Sequence, residues 1–181
     1  MSLHKQPDLK EAVLNLSQKE KDKLLVRLVG KDKMLMKQLH FQLLEDQIDL
    51  EDRIEKLKER LQDLFAEGRH SIRNLPMYSH YKGLQMLLRQ ASGFINEHEK
   101  ITKDKFSEVE CRIYILKEAF QRFPRLFEPT AIHPGLKLAE YVKARLRITT
   151  NKLDKLHEDL QFDLQESMQQ VLDFAQEHGL I

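Results

Sequence analysis

From Leu136 to His178 the chain carries neither proline nor glycine, and apolar residues recur at helical spacing throughout. Leu138, Val142, Leu146, Thr149, Leu153, Leu156, Leu160, Leu164, Met168, Val171 and Ala175 follow one another in steps of three or four. Read as one helix, the stretch spans about 64 Å at about 1.5 Å per residue. A rod of that length constrains everything else, because shorter helices must lie along it or a second copy must cover part of it. The expected fold is therefore all-α: a helical bundle built on one long C-terminal helix, with a short N-terminal helical unit. A weak point lies at Thr149-Thr150-Asn151, where Asn151 and Asp154 could start a new helix.

Composition agrees. Of the 181 residues 33% are charged and 41% hydrophobic, with only 6 Gly and 5 Pro, a mixture that favours long helices over strands. Two divisions are expected, residues 1–45 and 46–181. In the first, residues 1–7 look irregular. Pro7 then suits a helix start, Ser17-Gln18-Lys19-Glu20 reads as a capping box, Gly30 as a left-handed helix end and Asp32 as a cap. In the second, Leu50, Ile54, Leu57, Leu61 and Leu64 step 4, 3, 4, 3, a short heptad seam of coiled-coil type. Leu84, Leu88, Ala91 and Ile95 mark the next helix, with Ser79 as its candidate cap. Val109, Ile113, Leu116 and Phe120 mark another, with Thr102 as cap. Residues 124–135 hold three prolines and form the one long irregular segment, expected to be pinned by Leu126, Phe127 and Ile132. Cys111 lies beside that third seam and reads as a half-exposed helix residue.

Net charge is only +1, so the whole-molecule field draws neither nucleic acid nor membrane. The blocks are more telling: residues 1–33 are net +3, residues 112–155 net +6 and residues 156–181 net −6. Acid at the C-terminal end of a helix opposes its dipole, and a basic partner, the N-terminal block among the candidates, would relieve it. A single cysteine excludes an internal disulfide and fits a reducing compartment. No apolar run approaches the about 18 residues of a membrane span, and the first residues carry no signal-peptide core. The expectation is a soluble cytoplasmic protein.

Motifs of reaction chemistry are absent. Glu67-x-x-His70 and Asp154-x-x-His157 have the spacing of carboxylate–histidine metal ligands. Eight histidines among 29 acidic residues in 181 give about 1.3 such pairs by chance, so no metal and no cofactor is expected. Arg112, Arg122 and Arg125 with His133 could line an anion pocket, although arginines after a helix end are more often surface residues. No nucleophile elbow or phosphate loop occurs. The chain reads as a non-enzyme.

Two functional readings remain. In the first, the chain is a scaffold or protein-interaction module, able to self-associate as a homodimer, with Leu153, Leu156, Leu160 and Leu164 as the interaction seam. In the second, it binds nucleic acid. The 18–45 helix pair resembles a helix-turn-helix, with Lys33, Lys37 and Gln38 towards the groove, although Val26 and Lys31 depart from the small and apolar residues that a tight version needs. Lys143, Arg145 and Arg147, with Tyr141 interleaved, could track a phosphate backbone.

The stretches Asp8-Leu9-Lys10, Leu16-Ser-Gln-Lys-Glu-Lys-Asp-Lys-Leu-Leu25 and Phe41-Gln-Leu-Leu-Glu45 resemble small uncharacterised all-helical bacterial proteins. The resemblance covers about the first quarter of the chain. It implies an all-helical fold and neither a site nor a substrate.

Overall fold

The computed structural model of the chain describes residues 5–181; of the irregular opening expected at 1–7, the first four residues lie outside the described residues. The chain divides into two units, Met1–Glu45 and Asp46–Ile181. Among the described residues there are eight α-helices and no strand.

In the first unit α1 is Pro7–Leu14, α2 Gln18–Val29 and α3 Lys33–Leu44. Local chemistry sets their starts. Pro7 opens α1. The Ser17 hydroxyl accepts from the Glu20 amide while the Glu20 carboxylate accepts from the Ser17 amide at 3.0 Å, the reciprocal capping box. The Asp32 carboxylate accepts from the amides of Met34 and Leu35. Gly30 does cap α2, but at φ −64°, in right-handed geometry. The expected left-handed end is thus corrected: a tight turn carries the chain on through Lys31 and Asp32, whose amides reach Leu28 and Val29.

The second unit holds α4 Gln47–Ser71, α5 Tyr78–Thr102, α6 Lys105–Arg122, α7 His133–Leu153 and α8 Glu158–Glu177. Asp46 and Asp49 form a second capping box at the start of α4. Leu57, Leu61, Phe65 and Gly68 then bury one stripe of it. Gly68 lets α4 and α5 approach closely: a Cβ there would stand 2.4 Å from Leu87 Cδ1 of α5, and that side chain would have to shift. Met77 rather than Ser79 precedes α5, without a side-chain cap. Between α5 and α6 only Lys103 and Asp104 intervene. Lys103 takes a left-handed conformation, φ 59°, and Asp104 caps α6 by accepting from the Ser107 amide at 2.9 Å. Thr102, the expected cap, instead accepts from the Asp104 amide at 3.2 Å.

The central element is α6. It packs against α4, α5, α7 and α8 and is buried nearly all round, through Val109, Cys111, Ile113, Ile115, Leu116, Ala119 and Phe120. Cys111 is accordingly 1% exposed, not half-exposed. Beyond α6 the proline-rich segment is shorter than expected, because Pro124–Phe127 is a turn of 3-10 helix and α7 begins at His133. Leu126 and Phe127 are buried, whereas Ile132 is 37% exposed.

The expected single long C-terminal helix is not what forms. It is two helices of 21 and 20 residues, α7 and α8, no longer than α4 or α5. Thr149 to Asn151 stays helical, with the Thr149 hydroxyl donating to the Arg145 carbonyl. The break falls at 154–157. The amides of Lys155 and Leu156 tighten onto the carbonyls of Lys152 and Leu153, and His157 turns extended. Its Nδ1 accepts from the Asp159 amide at 3.4 Å. Gln161 reaches back to donate to the carbonyls of Asp154 and Leu156, two acceptors that a helix end leaves open. The break also revises the charge reading. Glu158 and Asp159 lie in the first turn of α8, where acid favours the helix, and only Asp173 and Glu177 oppose its dipole. Gly179, at φ 66°, closes α8: its amide reaches Gln176 and the amide of Leu180 reaches Ala175, a Schellman motif.

Candidate functional site

The densest polar cluster sits where α5, α6 and α7 meet. Glu108, 1% exposed, accepts from Arg112 Nε at 3.1 Å, Arg112 Nη2 at 2.8 Å and Lys152 Nζ at 2.8 Å. Arg112 Nη2 also donates to Asn96 at 2.6 Å. Beside it, His98 Nε2 pairs at 2.9 Å with the hydroxyl of Ser107, the residue before Glu108. Burial pushes the Glu108 carboxyl up, but the hydrogen bonds and charges of Lys152 and Arg112 outweigh it and hold the group below the usual carboxylate range. Burial pushes His98 down against the pull of Asp104, so the ring is neutral at pH 7. Every charged member of the cluster thus has a partner on another turn or another helix. The arrangement ties α7 to α6 and leaves no carboxylate poised to take up or release a proton near neutrality. Its trace in the sequence was the Glu108-x-x-x-Arg112 pair flanked by seam residues.

The anion pocket does not form. Arg112 is engaged as above, and Arg122 is held by Glu118 at 2.5 Å and lies 5.8 Å from the Phe65 ring. The two stand ten residues apart on α6, about 15 Å along its axis. Among the described residues no three His, Cys, Asp or Glu converge as metal ligands. Cys111 is pushed up to about 12 by burial, which removes it as a nucleophile.

Leu153 and Leu164, two of the four seam residues, are buried inside the second unit, and Leu156 packs against the same core. Leu160 stays 37% exposed. Of the basic residues, Lys33 and Lys37 lie one turn apart on the exposed side of α3, and Gln38 is half-buried. On α7, Arg147 is exposed while Lys143 and Arg145 are half-buried. Arg145 lies 5.0 Å and Arg89 5.6 Å from the Tyr141 ring, whose hydroxyl contacts Ser92 at 3.2 Å. Tyr141 is therefore engaged within the bundle rather than offered as a stacking platform.

Apolar side chains also lie open. In the first unit no helix has a buried residue, and Leu25, Val26, Leu43 and Leu44 are 61–74% exposed. In the second, Phe162 of α8 is 77% exposed. It borders a groove of about 360 Å³ lined also by Leu153, Gln165, Met168 and Leu172. No helix among the described residues is long and apolar enough to cross a membrane. Comparison with family models, with curated proteins and with solved structures finds no match for this chain.

Proposed function

We propose that this chain is a non-catalytic helical interaction module whose N-terminal unit engages another protein. The observation that supports this most is the first unit itself. α2 and α3 are capped by side chains, yet no residue of the three helices is fully buried, and Val13, Leu24, Val29, Leu35, Leu39 and Phe41 are only half-buried. Helices of 8, 12 and 12 residues are marginal on propensity alone, and a segment of this size without a core usually needs oligomerisation or a ligand for stability. Exposed leucines on capped helices fit a surface completed by helix-to-helix contact. In the second unit, the part of the expected seam still available to a partner is Leu160 with the neighbouring Phe162.

Amide hydrogen exchange of the full chain tests the reading. Amides of α2 and α3 should exchange far faster than those of α5 and α6, and should slow when the partner is added. Protection of α2 and α3 equal to that of α6 in the monomeric chain would refute it.

A second reading, nucleic-acid binding, is favoured by one observation: Lys33 and Lys37 stand on the exposed side of α3 directly after a tight turn. Affinity for duplex DNA that falls steeply with salt and weakens in Lys33→Ala would support it; no binding at low salt would dispose of it.

A further inference from the structure

The outward side of α8 is a stripe of one chemistry. Opposite the buried Leu164, Met168, Val171 and Ala175, the helical period sets Asp159, Phe162, Glu166, Gln169 and Asp173 in one row. All are exposed, and the row carries three carboxylates around one aromatic ring. From residue 156 to the end the chain has six acidic side chains and no Lys or Arg, and the last turn of α8 has no basic residue. Its C-terminal acids therefore stand uncompensated against the helix dipole.

The complementary stripe is on α2. Lys19, Lys23 and Val26 follow at i, i+4 and i+7, with Arg27 beside them; the exposed Asp22, one turn before Val26, accepts from Gln18 Nε2 at 2.8 Å. Val26 is 73% exposed and the three cations are exposed. One stripe places lysines around an aliphatic residue; the other places carboxylates around Phe162. Both spacings are one helical turn, so two such helices can register side by side with charges opposed and apolar residues inward.

We propose that α2 of one copy docks on the outer face of α8 of a second copy, so that the partner of the N-terminal unit is the chain itself. This rests on the interaction-module reading above and adds the identity of the occupant. Electrostatic complementarity sets the register, and burial of Val26 and Phe162 supplies the apolar contact. The association weakens with salt, since the charges lie at its rim.

Sedimentation velocity of the full chain from about 1 to 100 μM, combined with hydrogen exchange, tests it. The wild type should self-associate. Lys19→Glu with Lys23→Glu, and separately Glu166→Lys with Asp173→Lys, should each weaken association by at least about tenfold. The chain carrying all four reversals should recover it, which loss of folding could not mimic; the helical circular dichroism of each variant is recorded alongside. Phe162→Ser should weaken association with no charge change. Self-association indifferent to the reversals would overturn the α2–α8 pairing. A monomer at every concentration whose α2 and α3 amides exchange fast would overturn the second copy as partner while leaving the module reading intact. A monomer whose α2 and α3 amides are protected would overturn both.

Discussion

Replacing Glu108 by Gln should cost the second unit about 3 kcal/mol, through the loss of one charge at the junction of α5, α6 and α7. The side chain keeps its shape, so no cavity opens. The carboxylate accepts three donors, two from Arg112 and one from Lys152. A carboxamide can accept on one side only, and its NH2 group confronts a cation on the other. Charge-assisted hydrogen bonds contribute about 1.5–3 kcal/mol each. Two features temper the loss: Lys152 is 31% exposed and can rehydrate, and Arg112 keeps Asn96. With an m value of about 2 kcal/mol/M in urea, the midpoint should fall by about 1.5 M at pH 7, with m unchanged. Unfolding is followed by circular dichroism at 222 nm. Glu110→Gln serves as the control, because Glu110 pairs with a 44% exposed Lys58 and should lose under about 1 kcal/mol. The pH dependence has a definite sign. The folded Glu108 carboxyl titrates below its ordinary range, so its contribution is complete above the unfolded value and is lost as pH falls through the folded one. Glu108→Gln should therefore destabilise most near neutrality and converge on wild type in acid. If Glu108→Gln is no worse than Glu110→Gln at pH 7, the buried carboxylate does not hold α7 to α6 and the reasoning fails.

Other outcomes follow from single positions. Gly93→Ala, where an added Cβ meets nothing within 4 Å on α5, should stabilise by about 0.5–1 kcal/mol; Gly135→Ala, 2.4 Å from Thr130 Cγ2 and 3.1 Å from the Tyr81 ring, should destabilise by about 1–3 kcal/mol, both read by urea midpoints. Lys103→Gly relieves the left-handed backbone between α5 and α6 and should stabilise by about 0.5 kcal/mol after the added freedom of the unfolded chain is subtracted, read as a small rise in melting temperature. The Cys111 thiol, buried and raised to about 12, should resist a disulfide reagent at pH 8 in the folded chain and react fully in denaturant; fast reaction in the native state would mean that α6 opens readily.

Helix positions were legible because capping and periodicity agree. Ser17 and Asp32 start their helices with side-chain hydrogen bonds to the amides that need them, and the seams Leu84–Leu88–Ala91–Ile95 and Val109–Ile113–Leu116–Phe120 lie in the core. Two features were less legible. The centrality of α6 was hidden because Ser107, Glu108 and Arg112 are polar by type, and only the paired geometry lets them be buried. The α7–α8 break was legible only as a weak point about one turn too early, at Thr149–Asn151, because no proline or glycine marks its place at 154–157. A histidine caps the new helix and Gln161 satisfies the old one, two residues whose ordinary use is neither. The site was legible as types of surface rather than as places. The acidic tail and basic head are plain in the charge count, but which carboxylates share a side with Phe162 depends on α8 being its own helix in its own rotation. The leucine seam drawn along a continuous rod split between core and solvent for the same reason.

The break at 154–157 has a further consequence for how the molecule comes apart. α8 joins the bundle chiefly through α6, at its far end by a column in which Phe174 is stacked between Phe120 at 4.4 Å and His178 at 3.9 Å, with Phe127 edge-on. A helix joined by a short link and fastened along one flank can detach as a cooperative piece below the global unfolding free energy. A rod shared by both halves could not, since releasing its end would drag α7 from α5. We therefore expect α8 to open as one cooperative piece, with the aromatic column as its latch, and its amides to exchange together ahead of those of α5 and α6.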